Sequence, residues 1–212
     1  MRAVILTGGK GERLMPLTKD TRKAYLPLGN KGVIDHIIDR LPKDIDYSIT
    51  ENDGGALAAV AEALTGNDPV LVICGDNYFT ASLDGFVKAF GDGKKLLIAV
   101  YDVQDKELAQ NYGVVEVLPM GRIKRFAEKP YRPASTIVST GIYIFPQILF
   151  ERVRRLAALY PKANIGDLLI NLMYFCSVYA YQLDGVWIDI GTPENYRKAQ
   201  EIVSEKRTVQ GS

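Results

Sequence analysis

The chain has 212 residues, a formal net charge of +1 and 47% hydrophobic residues, which suits a single globular domain with a sizeable core. The balanced charge argues against a broad basic field for nucleic acid, and no apolar run approaches the roughly 20 residues of a membrane helix. The N-terminus reads as a core strand rather than a secretory signal. We therefore expect a cytoplasmic protein with no nucleic-acid or membrane partner.

The first half of the chain predicts alternating strands and helices. Strands are expected at residues 3–6, 45–50, 70–74 and 96–101, and helices at 33–41, 57–64 and 83–90. Ile45, Tyr47 and Ile49 alternate with Asp46 and Ser48, which predicts a short strand. The alternation of elements predicts an α/β fold, a Rossmann-like and mostly parallel mixed sheet flanked by helices.

The second half adds a mixed β region. Strands are expected at residues 113–118, 122–127, 137–145, 177–183 and 187–190, and helices at 148–160, 165–175 and 193–205. We expect one domain over 1–212, made of two halves, 1–101 and 102–205, with a frayed tail at 206–212. Cys74 and Cys176, the only cysteines, have no disulfide or zinc spacing and are expected to be buried free thiols.

A glycine-rich turn follows the first strand. Gly8, Gly9 and Gly11 offer backbone N–H groups that can close around an oxyanion, and Arg13 lies just beyond them. Their spacing matches neither the dinucleotide fingerprint nor the Walker motif. A cationic side chain at this place adds positive charge where a phosphate would bind.

Two aspartates are candidates for a metal site. Asp76 follows an apolar strand and a glycine, so it should emerge at the carboxyl end of the sheet, where open α/β sheets place ligands. Asp189 ends a late strand. Carboxylates from distant segments that converge with triphosphate oxygens suit one Mg²⁺. Together with the glycine turn, they point to chemistry on a nucleoside triphosphate.

Motifs along nearly the whole chain carry a family resemblance. Residues 6–18, LTGGKGERLMPLT, resemble the G-G-x-G-[ST]-R-L-x-P-L-T signature of the sugar-1-phosphate nucleotidyltransferases. In the same order follow G-D-N at 75–77, Y-G-V-V at 112–115, F-x-E-K-P at 126–130, T-G-[IL]-Y at 140–143 and W-x-D-x-G-T-P at 187–193. The resemblance implies that family's nucleotide-diphospho-sugar transferase type of fold.

The resemblance also implies roles for residues at matching positions. Catalytic residues would be Arg13 and Lys23, and Asp76 and Asp189 would hold Mg²⁺. The nucleotide would be bound within residues 1–101 by Leu6, Gly8, Gly9 and Gly11. Gly55 is added to this set because a glycine offers a place where a ring can approach the backbone. The sugar phosphate would be bound within residues 102–205 by Gly113, Glu128, Lys129 and Gly141.

The implied reaction condenses a sugar-1-phosphate with an NTP, with dTTP or UTP as first candidates, to give an NDP-sugar and pyrophosphate. The attacking oxygen belongs to an ionised phosphate, so no general base is needed; His36, the only histidine, is expected at the surface. Two alternatives stay open: nucleotidyl transfer to another phosphorylated small molecule, and an inactive regulatory homologue that binds a nucleotide sugar. A homo-oligomer is compatible with the sequence.

Three features depart from the family pattern. Glu12 replaces the usual Ser or Thr, and Arg22 replaces the proline before Lys23, which suggests that Arg22 offsets Glu12 electrostatically. The region 42–49 is shorter by one strand, helix and strand, so that 45–50 should pair directly beside the first strand. Thr50 stands roughly where the family has a base-reading glutamine.

Overall fold

The structure, a computed structural model, describes residues 1–9, 11–91 and 93–210, with side chains described as far as residue 205. The strands are β1 (Arg2–Leu6), β2 (Pro27–Leu28), β3 (Lys31–Gly32), β4 (Tyr47–Thr50), β5 (Val70–Cys74), β6 (Asn77–Phe79), β7 (Leu96–Asp102), β8 (Gly113–Val117), β9 (Ile123–Glu128), β10 (Ile137–Phe145), β11 (Val178–Gln182) and β12 (Trp187–Asp189). The helices are α1 (Val33–Ile38), α2 (Ala56–Ala63), α3 (Asp84–Phe90), α4 (Lys106–Ala109), α5 (Phe150–Leu159), α6 (Ile165–Leu172) and α7 (Pro193–Gln210).

The predicted α/β fold is confirmed. The main sheet has the strand order β11-β7-β10-β5-β1-β4, and the β8–β9 hairpin joins it through β10. Along this path every neighbouring pair is parallel except those of β10, which runs antiparallel to both β5 and β7. A strand from the second half of the chain thus lies between two strands of the first half.

Helices cover both faces of the sheet. On one face α2, α5 and α6 pack on the side chains of Val4, Val70 and Val72. On the other face α1 and α3 pack on Ile5 and Leu71, which point the opposite way because side chains alternate along a strand. The carboxyl-terminal ends of β1 and β5 lie between these two helix layers and are left uncovered. In the described part of the chain no helix is long and apolar enough to cross a membrane.

Strand β4 pairs directly with β1, as the shortened region 42–49 predicts. The pairing is parallel and aligns Leu6 with Thr50. The strand begins at Tyr47 rather than at residue 45. Tyr47 and Ile49 are 49% and 39% exposed because β4 is the edge strand of the sheet.

Other boundaries also differ from the predictions. Helix α1 ends at Ile38 instead of residue 41, and α7 continues to Gln210, where a tail was expected from residue 206. Gly211 and Ser212, the end of that tail, lie outside the described residues. Cys74 and Cys176 are free thiols that are only part-buried.

Candidate active site

The glycine loop and Asp76 meet at the carboxyl-terminal ends of β1 and β5. Strands β1 and β5 are parallel and end side by side, with Leu6 opposite Cys74. The pairing continues one step further, since the Gly75 N–H donates to the Leu6 carbonyl over 2.8 Å. Neighbouring parallel strands therefore deliver the loop after residue 6 and the Asp76 carboxylate to one place.

Two of the glycines are required by close backbone packing. A side chain at Gly8 would overlap the carbonyl oxygen of Asn52, and a Cβ at Gly11 would lie 2.8 Å from the Lys23 Cγ. Gly9 has φ +97°, a conformation that L side chains rarely adopt. Gly8 and Gly9 line a cavity, whereas Gly11 is not part of its lining and lies against the stem of Lys23.

Lys23 is part-buried and its ammonium group lies 2.6 Å from a carboxylate oxygen of Asp76. Lys23 begins a short 3₁₀ turn, Lys23–Tyr25, and its side-chain stem lies close to Gly11 of the glycine loop. Burial lowers the pKa of Lys23, but the charge and hydrogen bond of Asp76 outweigh it and the pKa is raised overall. The ammonium group therefore stays charged at neutral pH.

Asp189 reaches the same place from the other end of the chain. Strands β12 and β6 pair antiparallel with Asp189 opposite Asn77, and the Ile190 N–H donates to the Asp76 carbonyl over 2.7 Å. Burial, strengthened by the negative charge of Asp76, raises the pKa of Asp189 to about 6. Its Oδ1 atom is buried without a hydrogen-bond partner among the described residues.

Two adjoining cavities open around Asp76. The first, here called the loop cavity, has a volume of about 270 Å³ and is lined by Leu6, Thr7, Gly8, Gly9, Lys23, Asn52, Asp53 and Gly55, among others. The second, the hairpin cavity, has a volume of about 430 Å³ and is lined by Arg13, Tyr112, Gly113, Glu128, Lys129, Gly141 and Asp189, among others. Asp76, Cys74, Ala56 and Ile165 line both.

The hairpin cavity gathers all four residues predicted to bind a sugar phosphate. Lys129 follows β9 in a left-handed conformation, φ 43°, and its N–H donates to the Tyr112 carbonyl over 3.0 Å. Gly141 sits at an irregularity of β10 with φ +80°, and a Cβ there would crowd Cys74. Burial raises the pKa of Glu128, whose carboxylate lies against Gly166 in the first turn of α6.

Arg13 is on the Asp189 side of the site. It lines the hairpin cavity, and a Cβ built on Gly191 would lie 3.1 Å from its guanidinium. Gly191 thus lets the arginine approach Asp189. The structure therefore brings Arg13, Lys23, Asp76 and Asp189 together, although they are far apart in sequence.

Two positioning residues were missed by the sequence reasoning. The Asn77 amide donates to the Cys74 carbonyl over 2.9 Å and accepts from the Trp187 indole over 2.7 Å, which ties β12 to β5. The Asn195 amide donates to the Asp189 carbonyl over 2.8 Å. Asn77 carried a signal in the G-D-N motif, whereas Asn195 carried none.

The structure does not support the predicted electrostatic offset of Glu12 by Arg22. Arg22 forms a two-pronged ion pair with Asp53, 2.8 and 3.1 Å, and lies 3.5 Å from Glu51. The arginine thus ties the segment after β4 to the segment before Lys23. His36 is half-buried rather than at the surface, and its Nε2 lies 2.9 Å from the Leu28 carbonyl.

The segment after β4 lies at the loop cavity. Thr50 accepts a backbone hydrogen bond from Thr7 over 3.0 Å, while Asn52, Asp53 and Gly55 line the cavity. The Asn52 amide contacts Glu62 over 2.5 Å and accepts from the Gly54 N–H over 2.7 Å. Asn52 and Asp53 therefore supply polar groups to this wall of the loop cavity. Both follow Thr50, which stands roughly where the family has its base-reading glutamine.

Comparisons with known proteins agree with these motifs. The family model for nucleotidyl transferase matches residues 2–51 and 44–206, two segments that overlap around the shortened region. The bifunctional protein GlmU of Methanocaldococcus jannaschii is 29% identical over 97% of this chain and 55% of its own length. This chain thus spans about half the length of that relative.

Two further relatives match at nearly full length. The UTP–glucose-1-phosphate uridylyltransferase AglF of Haloferax volcanii is 27% identical, with 98% of each chain covered. A crystal structure from Bacillus anthracis, provisionally named a glucose-1-phosphate thymidylyltransferase and solved with sucrose, superposes with a TM-score of 0.83. It is 25% identical and covers 96% of this chain and 95% of its own. With the motifs, the fold and both segments of the family model in agreement, this chain belongs to the nucleotidyl transferase family, and its relatives are sugar-1-phosphate nucleotidyltransferases.

Proposed function

We propose that this protein transfers a nucleotidyl group from an NTP to a sugar-1-phosphate and releases pyrophosphate. The observation that carries the proposal is the place of Asp76. It lies where the loop cavity meets the hairpin cavity, with the Lys23 ammonium 2.6 Å away and Asp189 held beside it. A reaction that joins two phosphates needs its charge-neutralising groups at the meeting point of the two substrates.

In this proposal each cavity takes one substrate. Leu6, Gly8, Gly9 and Gly55 line the loop cavity, which would receive the nucleoside of UTP or dTTP. Glu128 and Lys129 would hold the hydroxyls and the phosphate of the sugar in the hairpin cavity. Residues 1–101 then contribute most of the nucleotide contacts and 102–205 most of the sugar-phosphate contacts.

The reaction step needs positioning and charge neutralisation. A phosphate oxygen of the sugar-1-phosphate attacks the α-phosphorus in line, the new P–O bond forms, and the bond to the bridging oxygen of the leaving pyrophosphate breaks. Lys23 would bind the α-phosphate and the incoming phosphate, and Arg13 the leaving phosphates. Removal of one such preorganised charge typically costs roughly 10²–10³ in rate.

The two aspartates fit a divalent cation. Asp189 has a buried, unpartnered Oδ1 and a raised pKa, so its ionised form lacks compensation that a cation would supply. No group of three or more potential ligand side chains exists among the described residues, so Asp76 and Asp189 would share the ion with substrate oxygens, as Mg²⁺ favours. Bound Mg²⁺ would neutralise charge on the α-phosphate.

Pyrophosphate release from the purified protein with Mg²⁺ tests the proposal. UTP, dTTP and the other NTPs are combined with glucose-1-phosphate, mannose-1-phosphate, an amino-sugar phosphate and phosphocholine. Release with a hexose-1-phosphate supports it, whereas release with phosphocholine alone favours another phosphorylated acceptor. Binding of nucleotide sugars without release from any pair would instead identify a regulatory homologue.

A further inference from the structure

A second, larger groove lies away from the nucleotidyl-transfer site. It has a volume of about 1080 Å³ and is lined by residues around β11, the 3₁₀ turn Pro119–Gly121 of the β8–β9 hairpin and the start of α5. None of these residues lines either active-site cavity. The groove is therefore a separate feature with its own chemistry.

The charged side chains that the structure describes in this groove are all basic. Lys94, Lys95, Arg122 and Arg152 line it, and none of its described lining residues is acidic. In the described part of the chain, no carboxylate lies within ion-pair distance of Lys95, Arg122 or Arg152. This differs from the chain as a whole, in which 25 acidic residues nearly balance 26 basic ones.

Aromatic rings hold two of these cations in place. The Arg152 guanidinium lies 3.0 Å from the centre of the Phe175 ring, and the Lys95 ammonium lies 5.1 Å from that of Tyr179. The buried Nε of Arg152 has no hydrogen-bond acceptor among the described residues. A stacked guanidinium is preorganised to bind a carboxylate with two parallel hydrogen bonds.

The rim of the groove is apolar and exposed. Met120, Ile148 and Phe175 are 97%, 76% and 57% exposed. A small anion would gain nothing from such a rim, and the volume exceeds the roughly 300–1,000 Å³ of ordinary ligand pockets. Methionine, aromatic residues and arginine are the side chains enriched where proteins bind one another.

We propose that this groove, the basic groove, docks an acidic segment of a partner protein, whose carboxylates pair with Arg122, Arg152 and Lys95 while its apolar side chains cover Met120 and Phe175. Contact with the same groove of a second copy is disfavoured, because it would bring these cations close to one another. Charge complementarity selects an acidic partner.

Fluorescence anisotropy of the full-length protein tests the docking with two labelled peptides. One alternates glutamate with leucine and phenylalanine, and the other carries glutamine at every glutamate position. We expect the acidic peptide to bind at least about tenfold tighter than its glutamine counterpart and to weaken as salt rises. No binding at millimolar peptide, or equal binding of the two peptides, would overturn the proposal.

Charge-reversal variants locate the binding. Arg122→Glu with Arg152→Glu should weaken the acidic peptide at least about tenfold, and Lys95→Glu with Arg122→Glu serves if the loss of stacking at Arg152 unfolds the protein. Arg155→Glu, on the exposed side of α5, should have little effect. Unchanged affinity in both double variants would overturn the proposal. Pyrophosphate release should stay unchanged in all of them.

The apolar rim separates a docking groove from a simple anion site. Met120→Ser with Phe175→Ser keeps every charge of the groove and should still weaken the acidic peptide several-fold. If this variant binds the peptide normally, and inorganic pyrophosphate displaces the peptide from the wild-type protein at micromolar concentration, the groove is a small-anion site and the docking proposal is wrong.

Discussion

The main-chain N–H of Ile190 donates a hydrogen bond to the carbonyl oxygen of Asp76 over 2.7 Å. This bond follows directly on the pairing of Asp189 with Asn77, so the backbone of two short strands, rather than the aspartate side chains themselves, brings the carboxylates together. Two negative charges that repel each other are thereby held side by side. The cost of that repulsion is offset by Lys23, 2.6 Å from Asp76, and would be offset further by a cation.

Replacement of Lys23 should abolish most of the turnover. We expect Lys23→Ala to lower the rate of pyrophosphate release by roughly 10²–10³, because the ammonium group lies at the meeting point of the two cavities. Lys19→Ala, an exposed lysine of the same segment, is the control. Near-normal turnover of Lys23→Ala in a single-turnover assay would remove Lys23 from the chemistry.

Replacement of Asp189 should act on the metal dependence. Asp189→Asn should raise the Mg²⁺ concentration for half-maximal rate by roughly tenfold or more. The protein should not lose thermal stability at neutral pH, because the amide removes a buried charge next to Asp76. Asp184→Asn, at an exposed position, is the control. An unchanged Mg²⁺ titration would contradict the proposed ligand role.

Gly141 combines a left-handed backbone with crowding. Gly141→Ala should destabilise the fold by about 2–3 kcal/mol and raise KM for the sugar phosphate, because its Cβ would press on Cys74 and Asn77. Gly66 has the same φ of +80° but open space around it, so Gly66→Ala should cost only about 1–2 kcal/mol. Urea unfolding of both variants separates the backbone strain, which they share, from the crowding, which only Gly141→Ala has. Equal losses of unfolding free energy in the two variants would refute the crowding argument.

Glu128 should make stability fall as pH rises. Burial raises its pKa above the ordinary 4.5, so the folded state holds this proton more tightly than the unfolded state, and the free energy of unfolding decreases as pH rises from 4.5 through the folded pKa. Glu128→Gln removes this loss, so it should be more stable than wild type at neutral pH and equal to wild type below the window.

The substitution Glu128→Gln should also affect binding of the sugar phosphate. Glu128→Gln should raise KM for the sugar phosphate, because the carboxylate lies in the hairpin cavity. Glu107→Gln, exposed on α4, should change neither stability nor KM. Thermal melts on both sides of the pH window check the first expectation. A stability difference between Glu128→Gln and wild type that does not vary with pH would contradict it.

Strand β4 shows that a sequence pattern can predict a strand without predicting its burial. Alternation of Ile45, Tyr47 and Ile49 predicts a strand correctly, but burial depends on what packs against it. The shortened region leaves β4 at the edge, so Tyr47 and Ile49 are exposed. Likewise, the two departures from the family pattern, Glu12 and Arg22, predict an electrostatic offset, whereas in the folded chain Arg22 pairs with Asp53.

The sequence by itself determined the α/β class, the order of most elements and the family, since these depend on local hydrophobic periodicity and on short motifs read within a few residues. Only the tertiary structure decided that Lys23 pairs with Asp76, that Asn77 and Trp187 tie β12 to β5, and that the Arg152 guanidinium stacks on Phe175. Such contacts join residues far apart along the chain. Their geometry is set by strand pairing and packing in three dimensions, which no local pattern encodes.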